Sequence, residues 1–233
     1  MKKGLLILLC LPMIGFGQLT YVPDDNFEQA LINLGYDSVL DDYVVTANIN
    51  VVTSLYFWVQ GISDLTGIEN FTALTYLNCR HNLLTTIDVS QNNALTELHC
   101  QDNLLISLNV SSNTALEGLY CSDNQITSLD IRNGNNTNFT FFWATNNPNL
   151  YCIDVDNTTW SAANWTASNF PQSIDATMSF SINCNPSSIQ EYTTNKELLK
   201  VTDLLGRETK GKRNQILFYR YDDGTVEKKI ILE

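Results

Sequence analysis

Between Leu74 and Asn136 one pattern of apolar and polar positions is written three times. The segments LTYLNCRHNLLTTIDVSQNNA, LTELHCQDNLLISLNVSSNTA and LEGLYCSDNQITSLDIRNGNN begin at Leu74, Leu95 and Leu116, each 21 residues after the last. A fixed period of this length predicts a solenoid, in which each unit stacks on its neighbours. Leu74, Leu77, Cys79 and Leu84 recur as Leu95, Leu98, Cys100 and Leu105, then as Leu116, Leu119, Cys121 and Ile126. Leu77 and Cys79 are two positions apart, so their side chains share one face of a short strand. The intervening Tyr76, Asn78 and Arg80, Glu97, His99 and Gln101, Gly118, Tyr120 and Ser122 then point to solvent. Asn82, Asn103 and Asn124 recur where the chain leaves the strand, and there an Asn side chain can satisfy backbone that would otherwise be buried unpaired. A second apolar pair follows in each unit: Ile87/Val89, Leu108/Val110 and Leu129/Ile131.

This unit resembles the leucine-rich repeat family, L-x-x-L-x-L-x-x-N-x-L, with Cys at the third apolar position. Degenerate copies flank it. In Val52–Ala73 the residues Leu55, Phe57, Ile62, Leu65 and Ile68 hold inward slots, and Gly61–Ile68 resembles the repeats of bacterial internalin-like proteins. In Phe139–Val155, Ala144 takes the Cys slot and Asn147 the turn Asn. About five coils are therefore expected over residues 52–155.

Before the coils, Asp24 or Asp25 can cap a helix whose apolar face is Phe27, Ala30, Leu31 and Leu34, ended by Gly35. Residues 18–51 are expected to form a helical N-terminal cap over the first coil. Residues 156–184 hold Trp160, Trp165, Phe170, Ile174, Phe180 and Ile182 without a repeat, and are expected to seal the other end. The expected fold is a leucine-rich-repeat solenoid, β-rich with an α-helical N-terminal cap, followed by a small all-β C-terminal domain.

The chain is acidic, with a net charge of −12 over 233 residues. The charge is unevenly spread. From Lys196 onward nine Lys/Arg face seven Asp/Glu, whereas residues 18–195 hold only Arg80 and Arg132 against eighteen Asp/Glu. An acidic body argues against nucleic acid or an anionic membrane surface as partner, and the break argues for two modules. Residues 1–17 have the pattern of a secretory signal peptide: Lys2 and Lys3, the apolar run 4–14, then small residues before Gln18. No other run is apolar enough to span a membrane.

Five cysteines follow the leader. Cys79, Cys100 and Cys121 stack coil on coil, where strands lie about 4.8 Å apart. Distance alone does not exclude pairing, but parallel side chains in register orient poorly and three cannot pair evenly, so buried free thiols are expected. Cys152 and Cys184 flank the sealing segment. A disulfide there would close a loop of about thirty residues and stabilise by roughly 3 to 4 kcal/mol. Cys79 with His81, and His99 with Cys100, have zinc-like neighbours, but alternation sends Cys100 inward and His99 outward, so no metal is expected. No nucleophile, paired-acid or phosphate-loop motif accompanies the two histidines, so neither catalysis nor a cofactor is expected.

At the end of the chain, 198–201, 216–221 and 225–232 have strand patterns, the last two joined by Asp222-Asp223-Gly224 as a hairpin. V-T-D-L-L-G-R-E followed by a hairpin and K-K-I-I-L resembles the C-terminal sorting domain of the type IX secretion system of Bacteroidota. Val201, Asp203, Gly206, Arg207 and Lys229 match that pattern, while its Pro-Asn-Pro start is reduced to Asn185-Pro186 and its middle Gly-x-Tyr is replaced. The resemblance implies a linker at 185–190, a sorting domain at 191–233, the type IX machinery as partner, and passage through the periplasm to the cell surface or medium. The function expected is recognition of a protein or glycan, with Tyr76, Asn78, Arg80, Glu97, His99, Gln101, Tyr120 and Ser122 as the ligand-facing row. The alternatives are a structural surface or matrix spacer and, more remotely, a hydrolase.

Overall fold

The computed structural model describes residues 17–166, 174–184, 198–202, 207–209, 216–221 and 226–230. The signal-peptide segment up to Phe16, Phe170, the linker, Asp203, Gly206 and the hairpin residues 222–224 lie outside them. The chain divides into two compact units, Met1–Cys184 and Asn185–Glu233.

The first unit begins with β1 (Leu19–Tyr21), α1 (Asp25–Asn33), β2 (Tyr43–Val45) and α2 (Thr46–Ile49), β1 and β2 pairing antiparallel. Asp24 is the N-cap of α1: its Oδ1 accepts from the backbone N–H of Asn26 and Phe27. Its Oδ2 accepts from the Ser63 N–H, the Ser63 hydroxyl and the Asp64 N–H. One carboxylate thus starts the helix and ties it to the first coil. Phe27, Ala30 and Leu31 enter the core, Phe27 meeting Phe57 and Phe71 at 5.3 and 6.4 Å between ring centroids. Leu34, expected on this face, is exposed: it is the C-cap residue, and Gly35 turns the chain away at φ 81°. Glu28 is fully buried instead, because its carboxylate accepts from the backbone N–H of Asp41, Asp42 and Tyr43.

The coils follow as β3 (Ser54–Tyr56), β4 (Tyr76–Asn78), β5 (Glu97–His99), β6 (Ser107–Asn109), β7 (Gly118–Tyr120), β8 (Ser128–Asp130), β9 (Phe141–Trp143) and β10 (Cys152–Asp154), then α3 (Thr158–Asn164) and β11 (Ser179–Ser181). They form two parallel sheets, one in the order β3-β4-β5-β7-β9 and the other β11-β10-β8-β6. In the first sheet Leu55, Leu77, Leu98, Leu119 and Phe142 stand directly one above the next. In the second, Leu108, Leu129, Ile153 and Phe180 do the same. The stacked middle residues of both sheets lie in the core, and this unit is a solenoid of about five coils.

Asparagines hold the turns. Asn103 Nδ2 donates to the carbonyls of Cys79, Cys100 and Gln101, while its Oδ1 accepts from Leu84 N–H. Asn82 repeats this one coil before, Asn124 one coil after and Asn147 two coils after. A second asparagine ladder on the opposite turn, Asn92 and Asn113, donates to Ile68, Phe71, Val89 and Asn92 carbonyls. The residue before each first-ladder Asn is left-handed: His81, Asp102, Asp123 and Asn146 have φ between 54° and 58°, and Val59 shares the conformation at 57°.

Residues 156–184, read as lacking a repeat, still contribute β11, which extends the second sheet through Cys152↔Ser179 and Ile153↔Phe180. The 21-residue period hides this strand because α3 and the residues between it and β11 lengthen the coil. Trp165, fully buried, packs against Phe142, Phe139 and Phe180 at 4.6, 5.7 and 5.7 Å and closes the core. Ile182, assigned to this seal, is 65% exposed, since the strand ends at Ser181. Cys152 and Cys184 are joined by a disulfide; Cys79, Cys100 and Cys121 are buried free thiols. The second unit contains β12 (Leu198–Thr202), β13 (Ile216–Tyr221) and β14 (Val226–Ile230) in an antiparallel sheet of that order.

Candidate functional site

The outer face of the five-stranded sheet is built by alternation alone. Each strand places its middle residue in the core and its two flanking residues outward. In register, Tyr56, Asn78, His99, Tyr120 and Trp143 form one column, and Ser54, Tyr76, Glu97, Gly118 and Phe141 the next. Because strands lie about 4.8 Å apart, large side chains one coil apart touch, both within a column and diagonally between the two. Tyr56 and Tyr76 stack at 4.7 Å, Tyr76 and His99 lie at 5.3 Å, and His99 and Tyr120 stack at 4.0 Å with planes 12° apart. Tyr120 then meets Phe141 at 5.9 Å and the Trp143 ring at 5.1 Å and 71°.

The eight residues expected as the ligand-facing row are all on this face, but they are less exposed than alternation implies. Tyr76, Arg80, Glu97, His99, Gln101 and Tyr120 are half-buried. Asn78 and Ser122 are buried, at 7% and 8% exposure. The cause is the stacking itself: each side chain is covered by those one coil away. Asn78 Nδ2 reaches the Tyr76 hydroxyl at 3.4 Å, and the Ser122 hydroxyl shares a 3.1 Å hydrogen bond with that of Thr145. His99 Nε2 lies 2.6 Å from Glu97 Oε1, and the Arg80 guanidinium sits 5.2 Å over the Trp58 ring. Burial, then the neighbouring Glu97 charge, raises the Tyr120 phenol; burial together with Glu97 and Tyr56 raises that of Tyr76 despite the Asn78 hydrogen bond.

Tyr56, Trp58, Phe141 and Trp143 belong to the same face and were not singled out from the sequence. Their coils are degenerate, so their columns are seen only after Leu55 and Phe142 are aligned with the regular repeats. The three stacked thiols lie on the other side of the strands. Burial pushes Cys79 and Cys121 up to about 12, and burial with the neighbouring Cys121 and Cys79 raises Cys100 well above its ordinary value, so all three are held protonated. Their sulfurs and the outward histidines do not meet. The carboxylates of Glu28, Asp37 and Asp41 do converge, with one oxygen of each within 4.8 Å of the others, although the Glu28 oxygens are already occupied by backbone N–H groups. In the second unit, Val201 is half-buried on β12, Arg207 is exposed, and Lys229 pairs with Leu217 across β13 and β14.

Beside Trp143, where the sheet ends, a cavity of about 630 Å³ is lined by Gln101, Tyr120, Ser122, Asp123, Thr145, Asn146 and Asp175 among others. Asn146 organises its wall: its side-chain amide donates to Asp123 Oδ1 at 2.8 Å and its backbone N–H to Asp175 Oδ2 at 2.9 Å. Asp175 comes from beyond the repeats and had no signal in the sequence.

No family model matches the chain. Over 72 residues the chain is 38% identical to internalin J of Listeria monocytogenes serotype 4b, covering 31% of this chain and 8% of that protein's length. The solved functional domain of InlJ from Listeria monocytogenes, which includes a cysteine ladder, is 33% identical with a TM-score of 0.49, over 60% of this chain and 33% of that one. The internalin InlF of the same species is 18% identical with a TM-score of 0.46, over 66% of this chain and 55% of that one. The chain carries internalin-like leucine-rich repeats.

Proposed function

We propose that the protein is an exported recognition module that binds a protein or glycan through the outer face of its five-stranded sheet. The observation that carries this reading is the unbroken row of rings from Tyr56 through Tyr76, His99 and Tyr120 to Trp143, held at fixed spacing by a rigid parallel sheet. Aromatic side chains offer large contact area at low entropy cost, and they dominate recognition surfaces. Tyr76, Asn78, Arg80, Glu97, His99, Gln101, Tyr120 and Ser122 form the contact surface in this reading, the buried Asn78 and Ser122 by setting their neighbours. Helix α1 serves as the N-terminal cap, and α3, Trp165 and β11 as the C-terminal one.

Residues 1–17 direct export to the periplasm, and 191–233 act as a type IX sorting domain that delivers the solenoid to the surface or medium. This rests on the resemblance of Val201, Asp203, Gly206, Arg207 and Lys229 to that family's pattern, and on the change from an acidic body to a basic tail. Fractionating the producing culture and mapping both termini of the mature chain tests the route; an intact chain retained in the cytoplasm would refute it. Replacing Tyr76, His99 and Tyr120 together with Ala tests the surface. Adhesion or partner capture should fall at least tenfold while the thermal transition remains cooperative, and unchanged capture would reject this face.

A further inference from the structure

We propose that the cavity beside Trp143 is a binding site for a neutral glycan, with the Trp143 ring as its stacking platform; this rests on the recognition reading above and names its ligand class. Tyr76, His99 and Tyr120 each meet a neighbouring ring on both sides, and Tyr56 on one. Trp143 breaks this order. Its plane is 71° from that of Tyr120, and β9 is the last strand of its sheet, so among the described residues no ring of a following strand covers it. It is 39% exposed.

The adjoining cavity, about 630 Å³, has the size of a small-molecule site rather than of a flat protein contact. Its polar groups are fixed before any ligand arrives. Asn146 holds Asp123 and Asp175, and Ser122 is tied to Thr145. Gln101 lines the same cavity, and its Oε1 has no hydrogen-bond partner among the described residues, so turning the amide toward a donor in the cavity would gain a bond. A sugar hydroxyl supplies that donor and can accept in the same place. An apolar ring face beside a wall of amides, hydroxyls and carboxylates matches a pyranose, which has a C–H face and a rim of hydroxyls. Asp123 and Asp175 would repel an anionic sugar. The same two carboxylates would attract a cationic peptide, which is therefore the competing ligand that the test must exclude.

The test applies the full chain to an array of neutral, sialylated and sulfated glycans, followed by titration calorimetry with the neutral hits and with hexalysine. At least one neutral glycan should bind and alter tryptophan fluorescence. Trp143→Ala should weaken it at least tenfold, Gln101→Leu severalfold, and Tyr21→Ala, an exposed aromatic on β1 away from this face, less than twofold. Melting curves show that each variant is folded, and Gln101→Leu decides the matter if Trp143→Ala is not. Binding of sialylated glycans or hexalysine in preference, binding to no neutral glycan, or equal loss in Tyr21→Ala and Trp143→Ala overturns the proposal. If no glycan binds but partner capture is still lost in the Tyr76, His99 and Tyr120 triple variant, the glycan assignment falls and the recognition surface stands. If capture is also unaffected, both fall.

Discussion

Asn103 is the sharpest test of how the coils are held. It is 6% exposed at the centre of the stack. Its Nδ2 reaches the carbonyls of Cys79, Cys100 and Gln101 at 3.1, 3.1 and 3.3 Å, and its Oδ1 accepts from Leu84 N–H at 3.1 Å. The three carbonyls each have another donor, from Asn82, Asn124 and His81 N–H respectively. Asn103→Ala therefore orphans one buried N–H, at about 1 to 3 kcal/mol, and removes three second bonds worth roughly 0.5 kcal/mol each. About 3 kcal/mol of solenoid stability should be lost in urea unfolding. Asn103→Asp separates donor from acceptor, since it keeps an oxygen for Leu84 but loses the amide protons. Facing three carbonyls, the new carboxyl should have a folded-state pKa above its unfolded value. Its penalty is then full at pH 7, above the folded pKa, and relieved as pH falls below it, when the protonated acid can donate one bond. The ratio of variant to parent stability is compared at pH 7 and 4.5. A loss below 1 kcal/mol in the Ala variant, or an Asp penalty no smaller at pH 4.5, would refute the account.

The carboxyl of Asp24 is lowered because, although burial raises it, hydrogen bonds from Ser63, Phe27 and Asp64 outweigh that effect. Asp88 is lowered by Ser90, and Asp130 by the Arg132 side chain over a smaller effect of burial. Stability from all three is present above their ordinary value near 3.8 and lost as pH falls through the lower folded values; Asp24→Asn should flatten acid unfolding monitored by circular dichroism below pH 4. Breaking the Cys152–Cys184 disulfide, which spans 32 residues, should cost about 3 to 4 kcal/mol by the chain-entropy estimate, and an unchanged melting temperature after mutation of both to Ser would contradict this. Cys79, Cys100 and Cys121 should resist iodoacetamide in the folded chain and react once it is denatured, as mass spectrometry can count. Val59 is β-branched at φ 57°, so Val59→Asn should stabilise by about 1 kcal/mol; a loss in melting temperature would show that this turn is not strained.

The candidate site was unevenly legible in the sequence. Tyr76, His99 and Tyr120 sit in regular coils and could be placed by counting. Trp143 and Tyr56 lie in coils of irregular length, and Asp175 reaches the cavity from outside the repeats. Glu28 had no warning in the helix pattern, because its partners are backbone groups of a turn thirteen to fifteen residues on.

The amino-acid sequence by itself determined the solenoid, its inward columns and the first asparagine ladder, because three near-identical units must place equivalent residues in equivalent surroundings. Only the tertiary structure decided which outward residues remain accessible, that β11 joins the second sheet, and that Asp175 meets Asn146 beside Trp143. Direction along a strand is a local property of the backbone. Exposure and convergence depend on the side chains a coil away and on the lengths of the insertions between them, and no periodic pattern records either.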